Sequence, residues 1–105
     1  MYKLIIFVPK SHSEKVKESI FNAGAGQQGD YESCCFEVEG IGQFKPKNKA
    51  RPFIGKLNEV EKVPEIRLEV LCESDKMKEI ISALKLSHPY EEPAFDIIKL
   101  ESFNE

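Results

Sequence analysis

From Pro64 onward, Ile66, Leu68, Val70 and Cys72 alternate with Glu65, Arg67, Glu69, Leu71 and Glu73, the cleanest period-two signal in the chain. Such alternation describes a strand with one apolar face. A few residues later the period changes: Met77, Ile80, Ile81 and Leu84 match the i, i+3, i+4, i+7 template of an amphipathic helix, with Ser74 or Asp75 placed to cap it. Full burial of those four side chains would contribute ~6–12 kcal/mol as an upper bound, enough to hold the helix against the sheet. Strand, helix and a further apolar run over Phe95–Leu100 make one βαβ unit.

The first part of the chain repeats that unit. Residues 2–8, Tyr-Lys-Leu-Ile-Ile-Phe-Val, read as a strand buried on much of both faces and stopped by Pro9. Ser11 and Glu14 have capping-box spacing, and Val16, Ile20 and Ala23 share a helical face, which predicts a helix over Ser13–Ala23. Gly24 suits the left-handed position past its end. Gly24-Ala25-Gly26 follows a helix instead of opening one, so it reads as a C-cap and not as a phosphate loop. Tyr31–Glu39 is the next expected strand, with Cys34, Phe36 and Val38 on one parity and a wet face opposite. Gly40–Gly55, broken by Gly42, Pro46 and Pro52, reads as an irregular excursion or a loose two-strand extension.

No helical segment separates the second and third strands, so a doubly wound parallel sheet lacks its crossover. The expected fold is α+β: a ferredoxin-like βαββαβ sandwich, with an antiparallel four-stranded sheet, both helices on one face and an extended 40–55 excursion. At 105 residues, with 41% hydrophobic and 31% charged residues, the chain has the makings of a single domain over 1–105.

A net charge of −3 argues against nucleic acid and anionic membranes as partners. The apolar run Leu4–Val8 is too short to span a membrane and no basic leader precedes it, so the expected location is the cytoplasm. Cys34, Cys35 and Cys72 lack metal-type spacing and read as small thiols, one or two of them buried, in a reducing compartment. No catalytic triad, phosphate loop or dinucleotide fingerprint is present.

The polar chemistry concentrates in Ser87-His88-Pro89-Tyr90-Glu91-Glu92-Pro93, where two prolines stiffen a connector carrying an imidazole, a phenol and two carboxylates. His88 with Glu91 or Glu92 suits a divalent metal ion. The commoner role for such groups is hydrogen bonding at the mouth of the last strand or across a subunit boundary. Lys45, Lys47, Lys49 and Arg51 would line one side of an extended segment and meet an anion there, although charge runs in proline-rich loops usually stay solvated.

Taken together, Gly24-Ala25-Gly26 with Gly29 and Tyr31, Cys35-Phe36, Gly40-Ile41-Gly42-Gln43-Phe44-Lys45-Pro46, Ala50-Arg51-Pro52-Phe53-Ile54-Gly55, Glu65-Ile66-Arg67-Leu68-Glu69 and His88-Pro89-Tyr90-Glu91-Glu92-Pro93-Ala94-Phe95-Asp96-Ile97 resemble the YqfO, or Nif-three-like, family. More narrowly, the chain is similar to the CutA-like or PII-like domain inserted in the dimetal-binding core of many such proteins. The resemblance implies a ferredoxin-like fold that in those relatives assembles as trimers through sheet edges and extended hairpins. It also implies that the dimetal ligands belong to the two core halves flanking such a domain and not to the domain itself.

The function expected is a non-enzymatic, oligomeric regulatory module that binds a small ligand or metal at subunit junctions. Self-association as a trimer leads, with a dimer as the alternative. Ligand or junction residues are His88, Tyr90, Glu91, Glu92, Asp96, Lys45 and Arg51; His88 and Glu91 are the metal candidates. The second reading is an accessory subunit or lid of a dimetal hydrolase-like core supplied by another chain.

Overall fold

Leu4, Ile6 and Val8 lie opposite Val70, Leu68 and Ile66, and this apolar face of two neighbouring strands is the floor of the core. The structure, a computed structural model, describes residues 1–103. In chain order the elements are β1 (Tyr2–Pro9), α1 (Ser13–Asn22), β2 (Phe36–Phe44), β3 (Glu61–Cys72), α2 (Met77–Ser87) and β4 (Ala94–Lys99). The sheet order is β2-β3-β1-β4 and every neighbouring pair is antiparallel. This is the ferredoxin-like α+β fold expected from the pattern.

Both helices cover one face. Val16 and Ile20 of α1 and Ile80 and Leu84 of α2 are buried against the floor, and Ser19 Oγ donates to the Ala83 carbonyl between the helices at 3.3 Å. Met77 and Ile81 pack at the margin and are only partly buried, so α2 gains less than full burial of all four apolar positions would give. Alternate residues of β1 and β3 point the other way, and there Ile5 is also buried while Lys3 and Phe7 beside it are only half-buried.

Neither expected cap forms. A single 3₁₀ turn, Lys10–His12 before α1 and Ser74–Lys76 before α2, takes the place of each, and no side chain bonds the first free amides. Ser11 Oγ instead pairs with His12 Nδ1 at 2.9 Å, and Ser74 Oγ accepts the N-terminal ammonium at 3.1 Å. The other end of α1 follows the sequence. Gly24, at φ 110°, donates to the Phe21 carbonyl, and Ala25 donates to the Ile20 carbonyl, which together close a Schellman motif.

β2 is displaced from its expected position. It begins at Phe36 and runs through Gly40 and Gly42 to Phe44, so Tyr31–Cys35 belongs to the preceding loop and the first part of the excursion belongs to the sheet. Both faces of β2 are largely exposed because it is an edge strand, and on the helix side Lys17 of α1 pairs with Glu37 without covering it. Cys34 is half-buried, Cys35 exposed and Cys72 buried, and burial pushes the Cys72 thiol up to about 11. β3 starts three residues before Pro64, at Glu61, so the two strands form a hairpin that runs past the end of β1. This arm explains the elongated outline of 52 × 26 × 23 Å.

Candidate functional site

The connector after α2 reaches the same end of the sheet as the arm. His88 ends α2 with its amide donating to the Leu84 carbonyl at 2.9 Å, and its own φ/ψ is extended, as a residue before proline requires. The turn carries the imidazole beneath the end of β1, where it is 6% exposed. Nε2 lies 2.8 Å from the Phe7 carbonyl and Nδ1 accepts the Tyr90 amide at 3.1 Å. A carbonyl only accepts and an amide only donates, so the ring is the neutral tautomer with its proton on Nε2. Burial lowers its pKa, with His12 acting in the same sense, while the Phe7 carbonyl and Glu65 pull the other way.

Tyr90 extends the chain of contacts. Its hydroxyl donates to Glu65 Oε2 at 2.7 Å, and its ring meets Phe44 edge-on at 5.6 Å between centroids and His88 at 5.0 Å. Burial and the Glu65 carboxylate both push the phenol above its ordinary range. Glu65 is buried although it lies on the sheet face away from the helices, because its carboxylate lies against the Cα of Gly42. A Cβ at position 42 would collide with that carboxylate. Phe53, on the loop of the arm, packs near Tyr90 at 6.5 Å and against His12 at 5.2 Å. The Arg51 amide donates to Glu91 Oε1 at 3.1 Å.

Four of the expected site residues are therefore brought together: His88, Tyr90, Glu91 and, through its backbone, Arg51. Lys45 and Glu92 are exposed, and Asp96 is exposed on β4 opposite Ile5. The alternating basic face does not form. Asn48 has φ 57° and Ala50 donates back to Lys47, so residues 45–51 turn instead of running extended, and their cations remain in solvent. Glu65, Gly42, Phe44, Phe53 and His12 were not expected in the site. The one sequence signal for them was a glycine inside a strand, which marks close approach of another group.

Both nitrogens of His88 are engaged within the chain, and no group of three or more His, Cys, Asp or Glu able to hold a cation occurs among the described residues. In this arrangement the residues do not fit a metal centre contained in one chain. Next to the cluster, Phe7, Val38, Gly42, Glu65 and Arg67 border a depression of about 460 Å³ on the face away from the helices. Arg67 lies over the Phe7 ring at 5.8 Å and its Nε bonds Glu69 at 3.2 Å. No helix among the described residues is long and apolar enough to cross a membrane.

No protein-family model matches the chain. Individual proteins do. The GTP cyclohydrolase 1 type 2 homolog of Bacillus subtilis is 48% identical over 99 residues, covering 94% of this chain and 26% of the relative. The Mycobacterium tuberculosis protein of the same name is 46% identical over 98 residues, covering 93% and 26%. A solved structure of the Bacillus cereus protein related to NIF3 superposes with a TM-score of 0.83 at 35% identity, over 96% of this chain and 26% of that one. The chain corresponds to one segment of proteins of the NIF3/YqfO family. It spans about a quarter of the length of these curated relatives. CutA1 from Pyrococcus horikoshii superposes with a TM-score of 0.70 at 19% identity, over 100% of this chain and 88% of that one, so the NIF3-related segment has the CutA fold.

Proposed function

We propose that this chain is a non-enzymatic regulatory module that associates with copies of itself and takes a small ligand at the junctions between them. The observation that carries this reading is the face of the sheet away from the helices, where Phe36, Val38 and Ile98 are 64%, 49% and 45% exposed. By register Phe36 and Val38 share that face with Glu69 and Arg67, and Ile98 with Lys3, so apolar side chains are spread across the sheet when Leu71 and Phe7 are set beside them. Such a face, with two open sheet edges, favours a second copy as its cover. The resemblance to CutA-like domains supports a trimer.

The groups of the connector support the non-enzymatic part. His88 and Tyr90 are bound up in internal hydrogen bonds, which suits a structural role better than proton transfer. The depression beside Arg67 has the size of a small-ligand site, and Lys45, Arg51, Glu91, Glu92 and Asp96 supply polar groups that a junction between copies would use. A divalent metal bound by this module would take its donors from more than one copy. Sedimentation equilibrium tests association: the wild-type chain sediments as a trimer at micromolar concentration and a Phe36→Asp/Val38→Asp variant as a monomer. A monomeric wild type would overturn the reading.

One observation favours a second reading, an accessory subunit or lid of a dimetal hydrolase-like core: the NIF3-family relatives are about four times as long as the matched segment. Co-purification of this chain with a separately encoded dimetal core would support it, and failure of the two to associate when mixed would remove it.

A further inference from the structure

β1 ends at Pro9, opposite Glu65. Beyond that point Ile41–Phe44 pairs with Glu61–Pro64 without a third strand beside it, and the loop 45–60 closes the end. A two-stranded ribbon is marginally stable in water, so the direction of this arm depends on what else touches it. Its long-range side-chain contacts converge on two segments. Phe44 and Phe53 pack on Tyr90, Phe53 also packs on His12, and the Arg51 amide bonds Glu91. At the root of the arm the Glu65 carboxylate leans over Gly42 and accepts the Tyr90 hydroxyl.

We propose that Tyr90 and Glu65 form a releasable latch that fixes the direction of the β2–β3 arm, with His88 as the positioning residue that presents Tyr90 and Gly42 as the gap that admits the carboxylate. His88 holds the Tyr90 backbone from one side while anchored to β1 at Phe7, so the phenol has one direction in which to reach. Glu65 brings its charge to the phenol only because position 42 lacks a side chain. A charge-assisted O–H···O⁻ bond at 2.7 Å is among the stronger single contacts available, yet it is only one bond, and its loss leaves the sheet ladder intact. The latch is thus placed to switch the arm between a fixed and a hinged state without unfolding the domain.

The latch rests on contacts within one chain and stands independently of self-association. Hydrogen exchange of the full chain, read by mass spectrometry at segment level in the monomeric Phe36→Asp/Val38→Asp background, tests it. Tyr90→Phe deletes the hydroxyl alone, and exchange of 41–44 and 61–64 accelerates about tenfold while β1 and the paired 66–72 amides keep their rates. Gly42→Ala reaches the same bond from the other side: the added methyl meets the flexible end of Glu65, so the fold accommodates it while the carboxylate is displaced. Its arm accelerates similarly, and the double variant exchanges no faster than either single one, because both remove one bond. Glu65→Gln keeps an acceptor oxygen for the phenol, so its arm retains most of the protection. Unchanged arm rates in Tyr90→Phe and Gly42→Ala, equal acceleration of every strand, or multiplied effects in the double variant would each overturn the latch.

Discussion

His88 holds Tyr90 from behind: its Nδ1 accepts the Tyr90 amide at 3.1 Å while its Nε2 donates to the Phe7 carbonyl at 2.8 Å. Only the neutral imidazole satisfies both bonds, since a proton on Nδ1 would face the amide donor. Burial is the largest cause that lowers the pKa of His88 from the ordinary 6.5. The unfolded chain therefore binds this proton first as pH falls, and stability begins to drop near pH 6.5 and keeps dropping down to the folded pKa. Urea midpoints measured from pH 8 to pH 5 should show this loss, and His88→Gln should flatten it; the same slope in both proteins would contradict the assignment.

Truncating the ring has a cost beyond the lost packing. His88→Ala leaves the Phe7 carbonyl and the Tyr90 amide without their buried partner, and it should destabilise the fold by about 2–4 kcal/mol. Chemical denaturation measures this directly. A change within about 0.5 kcal/mol, typical of ordinary surface positions, would mean that the ring does not hold the connector.

Two leucines two residues apart on α2 separate core from surface. Leu84 is fully buried against the sheet and Leu86 is 84% exposed. Leu84→Ala should cost about 2–5 kcal/mol and Leu86→Ala less than about 0.5 kcal/mol. Similar losses in thermal or urea unfolding would show that the helix is rotated from the packing described.

The period-changing segment Ile66–Leu84 was legible because local pattern and tertiary contact agree there: alternate residues of β3 and the buried stripe of α2 close on one core. β2 was misplaced because Gly40 and Gly42 interrupt the side-chain alternation that would have carried it to Phe44, and because an exposed edge strand needs no apolar face in the isolated chain. The caps failed where 3₁₀ turns satisfied the entry to each helix instead. At the site, His88 and Tyr90 stand out as unusual groups on either side of Pro89. Glu65 did not, because in an alternating strand it occupies the parity of an ordinary solvated glutamate, and only contact with Tyr90, 25 residues away, gives it another role. The basic run at 45–51 depended on an extended backbone that Asn48 turns.

Alkaline conditions test the other half of the contact. Burial and Glu65 raise the Tyr90 pKa above its ordinary 10.0, so the unfolded chain loses this proton first and stability falls as pH rises past about 10. Tyr90→Phe should remove that part of the alkaline loss, measured as urea midpoints between pH 8 and pH 11. An unchanged alkaline slope would place the phenol in water instead of against Glu65.

Native mass spectrometry of the purified chain tests the central claim most directly, because it reports assembly and retained ligands in one spectrum. The expected spectrum shows a trimer that Phe36→Asp/Val38→Asp converts to monomer, and no metal ion whose retention depends on His88. A wild type that stays monomeric at micromolar concentration, or a stoichiometric metal ion lost on His88→Ala, would contradict it.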